Sequence, residues 1–243
     1  MDKNRGLCPI GMTQGRFFGA IAGLFWVAFL MPVLLGRRLA DPVMKLCIVG
    51  SLQYIFGIIF LFWFARRERW PAIDPSGMDP VKIFFIGVVG ELVFYPFVTI
   101  VGALWQKILL SLRYALNINF SEQPLIALLR SGLTEERQFW AILFLAVILA
   151  PIAEELFFRY FFYRFCKLKL PSFWAMFWTA LVFAALHFNL AAFVPLFIMG
   201  IFLVLCYERY GHLGPCMVFH GIHNYMTIIA ALTLPDNLWL GFC

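Results

Sequence analysis

Charged residues are scarce in this chain, and their scarcity excludes a water-soluble domain. Asp, Glu, Lys and Arg make up 13% of the 243 residues, whereas 63% are hydrophobic. Soluble chains contain about 25% charged and about 45–50% apolar residues. The sequence therefore predicts an integral membrane protein. The net charge of +6 is better explained by topology signals and contacts with anionic lipids than by nucleic-acid binding.

Several motifs of known hydrolases and metal sites are also missing. The chain has no His-Glu-x-x-His zinc helix, no Gly-x-Ser-x-Gly nucleophile turn and no pair of aspartates inside a hydrophobic run. Its six cysteines form no Cys-x-x-Cys pair, and most lie in or beside apolar runs, where buried thiols are expected rather than disulfides. The familiar zinc-helix, serine and aspartate mechanisms are therefore disfavoured.

Hydrophobic runs are plentiful, and they predict a multispanning all-α protein. A crossing needs about 20 mostly apolar residues, and seven such runs occur at about 17–35, 43–64, 83–112, 138–163, 172–190, 191–207 and 215–234. Because the third run is long and contains Pro96, it is one tilted or kinked span or two shorter pieces. We expect a single domain, 1–243, of seven or eight transmembrane helices enclosing a polar cavity, with a catalytic core at about 138–234.

The distribution of basic residues predicts the orientation. With seven crossings, most of the 19 Lys and Arg residues fall on the N-terminal side of the membrane, so the N-terminus is expected to be cytoplasmic. The segment 113–137 is the one long polar connection. It is either a surface loop or a gate beside the functional site.

Ionisable side chains inside a membrane span are costly, on the order of 3 kcal/mol or more, and usually mark function. They concentrate in the C-terminal half of this chain. Together with one asparagine, they are Glu91, Glu154, Glu155, Arg159, His187, His220, His223 and Asn224.

The first cluster consists of two adjacent glutamates and an arginine. Glu155 and Arg159 are four residues apart and share a helix face, so they can form a structural ion pair. Glu154 points about 100° away and is left free to activate a water molecule as a general base.

Histidines supply the other candidates. Phe183 and His187 are expected on one face of the fifth span. In the last run, His220 and Asn224 form an i,i+4 pair, and Gly221 permits close approach of another helix or of substrate. His223 either joins the site or caps its edge, and we favour the second role.

In this order, the motifs Glu-Glu-x-x-x-Arg, Phe-x-x-x-His and His-x-x-x-Asn resemble the CAAX prenyl endopeptidase and bacteriocin-processing family, also called the abortive-infection family. The resemblance covers about 150–228. It implies an all-helical intramembrane endopeptidase that cleaves a membrane-anchored peptide or protein. The catalytic residues would be Glu154, His187, His220 and Asn224, with support from Glu155, Arg159, Phe183 and His223.

The resemblance also has implications for the cofactor and for the cellular location of the protein. We favour a metal-free glutamate mechanism, although Glu154, His187 and His220 would be chemically acceptable zinc ligands. The compact chain is more similar to the prokaryotic members, which implies a cytoplasmic membrane and makes a prenylated substrate a second choice.

Two other functional classes compete with a protease. One is a non-catalytic membrane immunity or binding protein that holds a peptide in the same polar cavity. The other, less favoured, is an ion or proton carrier, because the polar residues cluster at one locus and do not line a path. Glu91 either pairs with Lys107 or Arg159 or lines the substrate entrance.

Overall fold

The computed structural model describes residues 13–71, 77–116, 129 and 135–234. Most of the 113–137 connection, predicted to be a surface loop or a gate, lies outside the described residues. All the regular structure in these ranges is helical, which confirms the all-α prediction. Seven helices follow in order: α1 (Gln14–Phe25, Trp26–Leu30, Met31–Leu35 and Gly36–Arg38), α2 (Pro42–Arg67), α3 (Pro80–Leu116), α4 (Glu136–Phe144, Leu145–Leu149, Ala150–Glu155, Leu156–Tyr163 and Arg164–Lys169), α5 (Ser172–Ala185), α6 (Phe193–Tyr210) and α7 (Leu213–Thr233).

Five of the described helices are long and apolar enough to cross a membrane: α1, α2, α3, α4 and α6. The predicted runs 172–190 and 215–234 correspond to α5 and α7. Helix α5 has only 14 residues, about 21 Å, because the chain turns after Ala185. Helix α7 has 21 residues, but two histidines and an asparagine make it less apolar than the five.

The long third run forms one continuous helix. Helix α3 contains 37 residues with Pro96 inside it, so at 1.5 Å per residue it is about 55 Å long. This exceeds the hydrocarbon thickness of about 30 Å, which requires tilt or protrusion. Its large exposed apolar side chains, including Val93 and Ile100, suit a surface in contact with lipid.

Helix α4 contains two π-helical segments, Leu145–Leu149 and Leu156–Tyr163. The first precedes Pro151, which has no backbone N–H to donate. The N–H of Ala150 bonds to Leu145 O, five residues back. The next bond of this type would join Ala146 O to residue 151, but Pro151 has no N–H to donate. Such breaks in the hydrogen-bond ladder are frequent at functional sites, and this one supplies carbonyls for contacts with another helix.

A short connection, residues 186–192, joins α5 to α6. Asn189 is 7% exposed, and its Oδ1 accepts the N–H groups of Ala191 at 2.9 Å and Ala192 at 3.2 Å. From α3, Trp105 Nε1 donates to Leu190 O at 2.9 Å. The turn is therefore held from within and from a neighbouring helix.

Candidate functional site

A buried ion network forms the base of the candidate site. Arg159 Nη1 donates to Glu155 Oε1 at 2.8 Å, as their spacing predicts, and both side chains are fully buried. His220 Nδ1 lies 2.8 Å from the same oxygen, which brings α7 against α4. Arg159 Nη2 also reaches Gly200 O on α6 at 3.5 Å. The Glu155 carboxylate thus connects groups of α4 and α7, and the guanidinium of its partner Arg159 contacts α6.

Glu154 occupies a different environment from its neighbour. Its side chain is 18% exposed, and its Oε2 lies 3.8 Å from both His187 Nε2 and His220 Nε2. The other oxygen, Oε1, accepts the hydroxyl of Tyr54 at 3.2 Å. Oε2 is buried and has no hydrogen-bond partner among the described residues. The structure therefore brings Glu154, His187 and His220 together, and the Glu154 oxygen that faces both histidines remains available.

The hydrogen bonds of the two histidines fix their orientation. His187 Nδ1 lies 2.7 Å from Phe183 O, and a carbonyl oxygen can only accept, so Nδ1 carries a proton. The same argument applies to His220 Nδ1, which faces the arginine-paired carboxylate of Glu155. In both rings Nε2 is consequently the atom turned toward Glu154, as second-shell bonds commonly arrange.

Phe183 packs at the centre of this arrangement. Its ring is fully buried and lies edge-on to His187 and His220, with centroid distances of 4.8 and 5.7 Å. The guanidinium carbon of Arg159 lies 4.7 Å from its centroid, within cation–π range. Phe183 therefore separates the ion network from the surrounding apolar core and restricts both imidazole rings.

Helix α7 docks on the carbonyls at the first break in α4. Asn224 Nδ2 donates to Ala146 O at 2.8 Å, supplying the partner that this carbonyl lacks within its own helix. A Cβ placed on Gly221 would lie 2.5 Å from Val147 O, the carbonyl four residues before Pro151. Gly221 therefore permits the close helix approach that the sequence predicts. The second N–H of Asn224 is not used in this bond.

A second buried carboxylate–imidazole pair lies beside the site. Glu91 Oε1 is 2.9 Å from His223 Nδ1, and the two side chains are 0% and 5% exposed. Neither Lys107 nor Arg159 is the partner, so those expectations for Glu91 are wrong. His223 packs against Phe94 and Tyr95 and joins α7 to α3.

His187 does not lie on a helix, contrary to the prediction. Helix α5 ends at Ala185, and His187 N bonds to Ala184 O in the following turn. The next residue, Phe188, has a φ of 50°, which a regular helix does not allow. The bond from His187 Nδ1 to Phe183 O keeps the imidazole beside Phe183 even though the helix has ended.

Two contacts of the site were missed by sequence reasoning. Tyr54 of α2 and Trp105 of α3 come from the N-terminal half, where no motif drew attention to them. A search for residues that carry charge near neutral pH passes over tyrosine and tryptophan, which are ordinary in membrane helices. The only signal was that each has a polar atom that must find a partner when buried.

The candidate zinc ligands do not fit a metal site as they are placed. Within the described ranges, no group of three or more His, Cys, Asp or Glu side chains has the geometry to hold a metal ion. Glu154 Oε2 and each facing Nε2 are 3.8 Å apart. Tetrahedral zinc, with bonds of about 2.0–2.1 Å, brings ligand atoms closer together than this.

The fold and the site define an all-α membrane domain. The carboxylates of α4 lie near the imidazole in the turn after α5 and an imidazole of α7, and Arg159 contacts a backbone carbonyl of α6. Residues 136–226 match the family described as type II CAAX prenyl endopeptidase, Rce1-like. This segment contains Glu154, His187, His220 and Asn224, and we conclude that it is a domain of that family. The matched segment spans somewhat more than a third of the chain.

One curated relative comes from Lactococcus lactis subsp. lactis (strain IL1403). It is the UPF0177 protein YbdI, 34% identical over 92 residues, and the match covers 37% of this chain and 49% of the relative. The chain is thus aligned with about half the length of this relative, whose name states no activity. No solved structure matches the chain.

Proposed function

We propose that this protein is an intramembrane endopeptidase that uses a glutamate-activated water to hydrolyse a peptide bond of a membrane-anchored peptide or protein. The observation that carries the proposal is the contrast between the adjacent glutamates. Glu155 Oε1 is engaged by Arg159 and His220, whereas Glu154 Oε2 is buried without a hydrogen-bond partner among the described residues and lies 3.8 Å from two histidine nitrogens. The family description, which names an endopeptidase, supports the same conclusion.

The water is proposed to bind between Glu154 Oε2 and the facing histidine Nε2 atoms. Separations of 3.8 Å are too long for direct hydrogen bonds and are suited to a bridging water. Glu154 takes one proton from the water as the oxygen attacks the scissile carbonyl carbon. His187 Nε2 accepts a hydrogen bond from the other O–H of the water and orients the nucleophile. When the C–N bond breaks, Glu154 gives its proton to the leaving nitrogen, so the products are a carboxylic acid and an amine.

His220 and Asn224 are proposed to stabilise the oxyanion. For His220 this requires a proton on Nε2 as well as on Nδ1, which lies 2.8 Å from Glu155 Oε1. Asn224 has a second side-chain N–H beyond the one bound to Ala146 O. Preorganised donors of this kind contribute about 10²- to 10³-fold to the rate.

The proposed setting is a polar cavity among seven membrane crossings in a prokaryotic cytoplasmic membrane, with the N-terminus cytoplasmic. The five long apolar helices are consistent with an integral membrane protein, and α5 and α7 would complete the bundle. Helix α5 is too short to span alone, so we propose that its following turn, which carries His187, lies at membrane depth within the protein. Backbone that is not helical is tolerated there only when protein surrounds it.

The test compares the wild type with Glu154→Gln in phospholipid vesicles. Two substrates are offered: a farnesylated CAAX peptide and an unprenylated peptide with a hydrophobic C-terminal anchor. We expect cleavage of at least one, detected by mass spectrometry, and a loss of about 10²- to 10⁴-fold in the variant. Equal melting temperatures would exclude misfolding, and activity should persist in EDTA and 1,10-phenanthroline.

The competing classes give different outcomes. Undiminished cleavage by the Glu154→Gln protein would rule out this carboxylate as the base. Loss of activity in chelators, with recovery on adding Zn²⁺, would favour the metal-dependent form. If a biological immunity or binding function survives in a Glu154→Gln, His187→Ala double variant, the cavity is a binding site.

A further inference from the structure

An amphipathic groove lies between α1 and α2, and it shares no residue with the candidate active site. Its volume is about 550 Å³, within the range of about 300–1,000 Å³ typical of ligand sites. The lining consists of apolar and small residues along the helices and charged residues at one end: Gly19, Ala20, Gly23, Phe60, Trp63 and Phe64, followed by Arg16, Arg67 and Glu68.

The charged end of the groove has an excess of positive charge. Arg16 Nη1 bonds to Glu68 Oε2 at 3.1 Å, and Arg67 Nε lies 4.0 Å from Glu68 Oε1. One carboxylate thus faces two guanidinium groups, whose side chains are 64% and 65% exposed. Each guanidinium carries five N–H donors, so both retain donors for an anion. Arg67 is also held over the Trp63 ring, 5.2 Å from its centroid.

The apolar end of the groove is open to the surface that faces lipid. Trp63 is 50% exposed and Phe18, on the same helix turn as Gly19, is 61% exposed. A Cβ on Gly19 would meet nothing within 4 Å, whereas one on Gly23 would touch Phe60 at 3.0 Å. The helices therefore separate near Gly19 and close at Gly23, which leaves a slot beside the arginines.

We infer that this groove binds an anionic phospholipid, with the phosphate on Arg16 and Arg67 and the start of an acyl chain along Gly19 and Trp63. The shape and charge fit both parts of one molecule: two arginines for a phosphate, and a glycine-floored apolar slot that continues into the bilayer. Basic pockets between transmembrane helices at the positively charged membrane face bind such headgroups. The end of α2 at this face carries Arg66 and Arg67, and Arg69 follows the helix.

The test uses native mass spectrometry of the full chain, purified in detergent with equimolar phosphatidylglycerol and phosphatidylcholine of identical acyl chains. We expect the wild type to retain phosphatidylglycerol on the order of 10-fold in preference, because basic residues near the membrane surface attract anionic lipids. The Arg16→Gln, Arg67→Gln variant should lose this preference. A matched variant, Arg37→Gln with Arg38→Gln, changes two exposed arginines outside the groove and should keep it.

A second pair of variants tests the apolar slot without touching any charge. Gly19→Leu should fill the slot and abolish retention, whereas Gly15→Leu, also with nothing within 4 Å but outside the lining, should not. Equal retention of the two lipids by the wild type would overturn the inference, and so would unchanged retention by Gly19→Leu. Displacement of phosphatidylglycerol by excess inorganic phosphate alone would show an anion site and overturn the lipid assignment.

Discussion

At the scale of single residues, the environment of each carboxylate decides its role. Glu154 and Glu155 are chemically identical neighbours, yet a difference of about 100° around the helix gives them different partners. Glu155 faces an arginine and a histidine at 2.8 Å, whereas Glu154 faces a tyrosine hydroxyl and two more distant imidazoles. The position of Glu154 Oε2, which faces both imidazoles, follows from this difference.

The hydroxyl of Tyr54 is expected to position Glu154. Tyr54→Phe removes one hydrogen bond to Glu154 Oε1 and keeps the ring, so kcat should fall by about 10-fold while KM stays within about 2-fold. Steady-state kinetics with the cleaved peptide would measure this, and equal melting temperatures would serve as the control. A change confined to KM would indicate that Tyr54 contacts substrate.

The Glu155–Arg159 pair is expected to stabilise the fold. Glu155→Gln would leave the buried guanidinium without its counter-ion, which costs about 3–5 kcal/mol and should lower the melting temperature in detergent. Arg159→Met should have a similar effect. If the double variant recovers most of the lost stability, the penalty arises from an unpaired charge; if both singles melt like the wild type, the structural role is wrong.

At the scale of helices, the break in α4 determines how α7 packs. Gly221→Ala would place a Cβ 2.5 Å from Val147 O, and backbone cannot yield as a flexible side chain would. Helix α7 must shift, moving His220 and Asn224 together, and a displacement of about 1 Å costs on the order of 100-fold in activity. Peptide cleavage and melting temperature measure both effects. Gly15→Ala, with open space around it, is the matched control and should behave as the wild type.

At the scale of the whole molecule, the charged ends of the helices set the topology. The contact between Arg16 and Glu68 places the start of α1 and the end of α2 on one side, which we predict to be cytoplasmic. Single-cysteine variants at Arg67 and Arg38, in a chain otherwise free of cysteine, would report this with an impermeant maleimide on intact cells. Labelling should occur at residue 38 without lysis and at residue 67 only after lysis. The reverse pattern would invert the predicted topology.

Composition and residue spacing were sufficient to predict that this protein is built from long apolar helices. An apolar chain in water-free surroundings must satisfy its backbone internally, so long hydrophobic runs imply helices. The Glu155–Arg159 contact also follows from spacing, because four residues make about one turn. The same reasoning wrongly placed His187 on a helix. Helix α5 ends two residues earlier, and His187 lies in a turn that is held by hydrogen bonds of Asn189 and Trp105.

Sequence by itself therefore determined the class of protein, its helices and the set of polar residues inside them, since these depend on local composition and on intervals within one helix. Only the tertiary structure decided which of these groups meet. The Glu91–His223 pair spans 132 residues and the Tyr54–Glu154 bond spans 100, and no periodicity relates positions on separate helices. Those contacts depend on how helices pack, including the carbonyls freed before Pro151 and the absence of a side chain at Gly221.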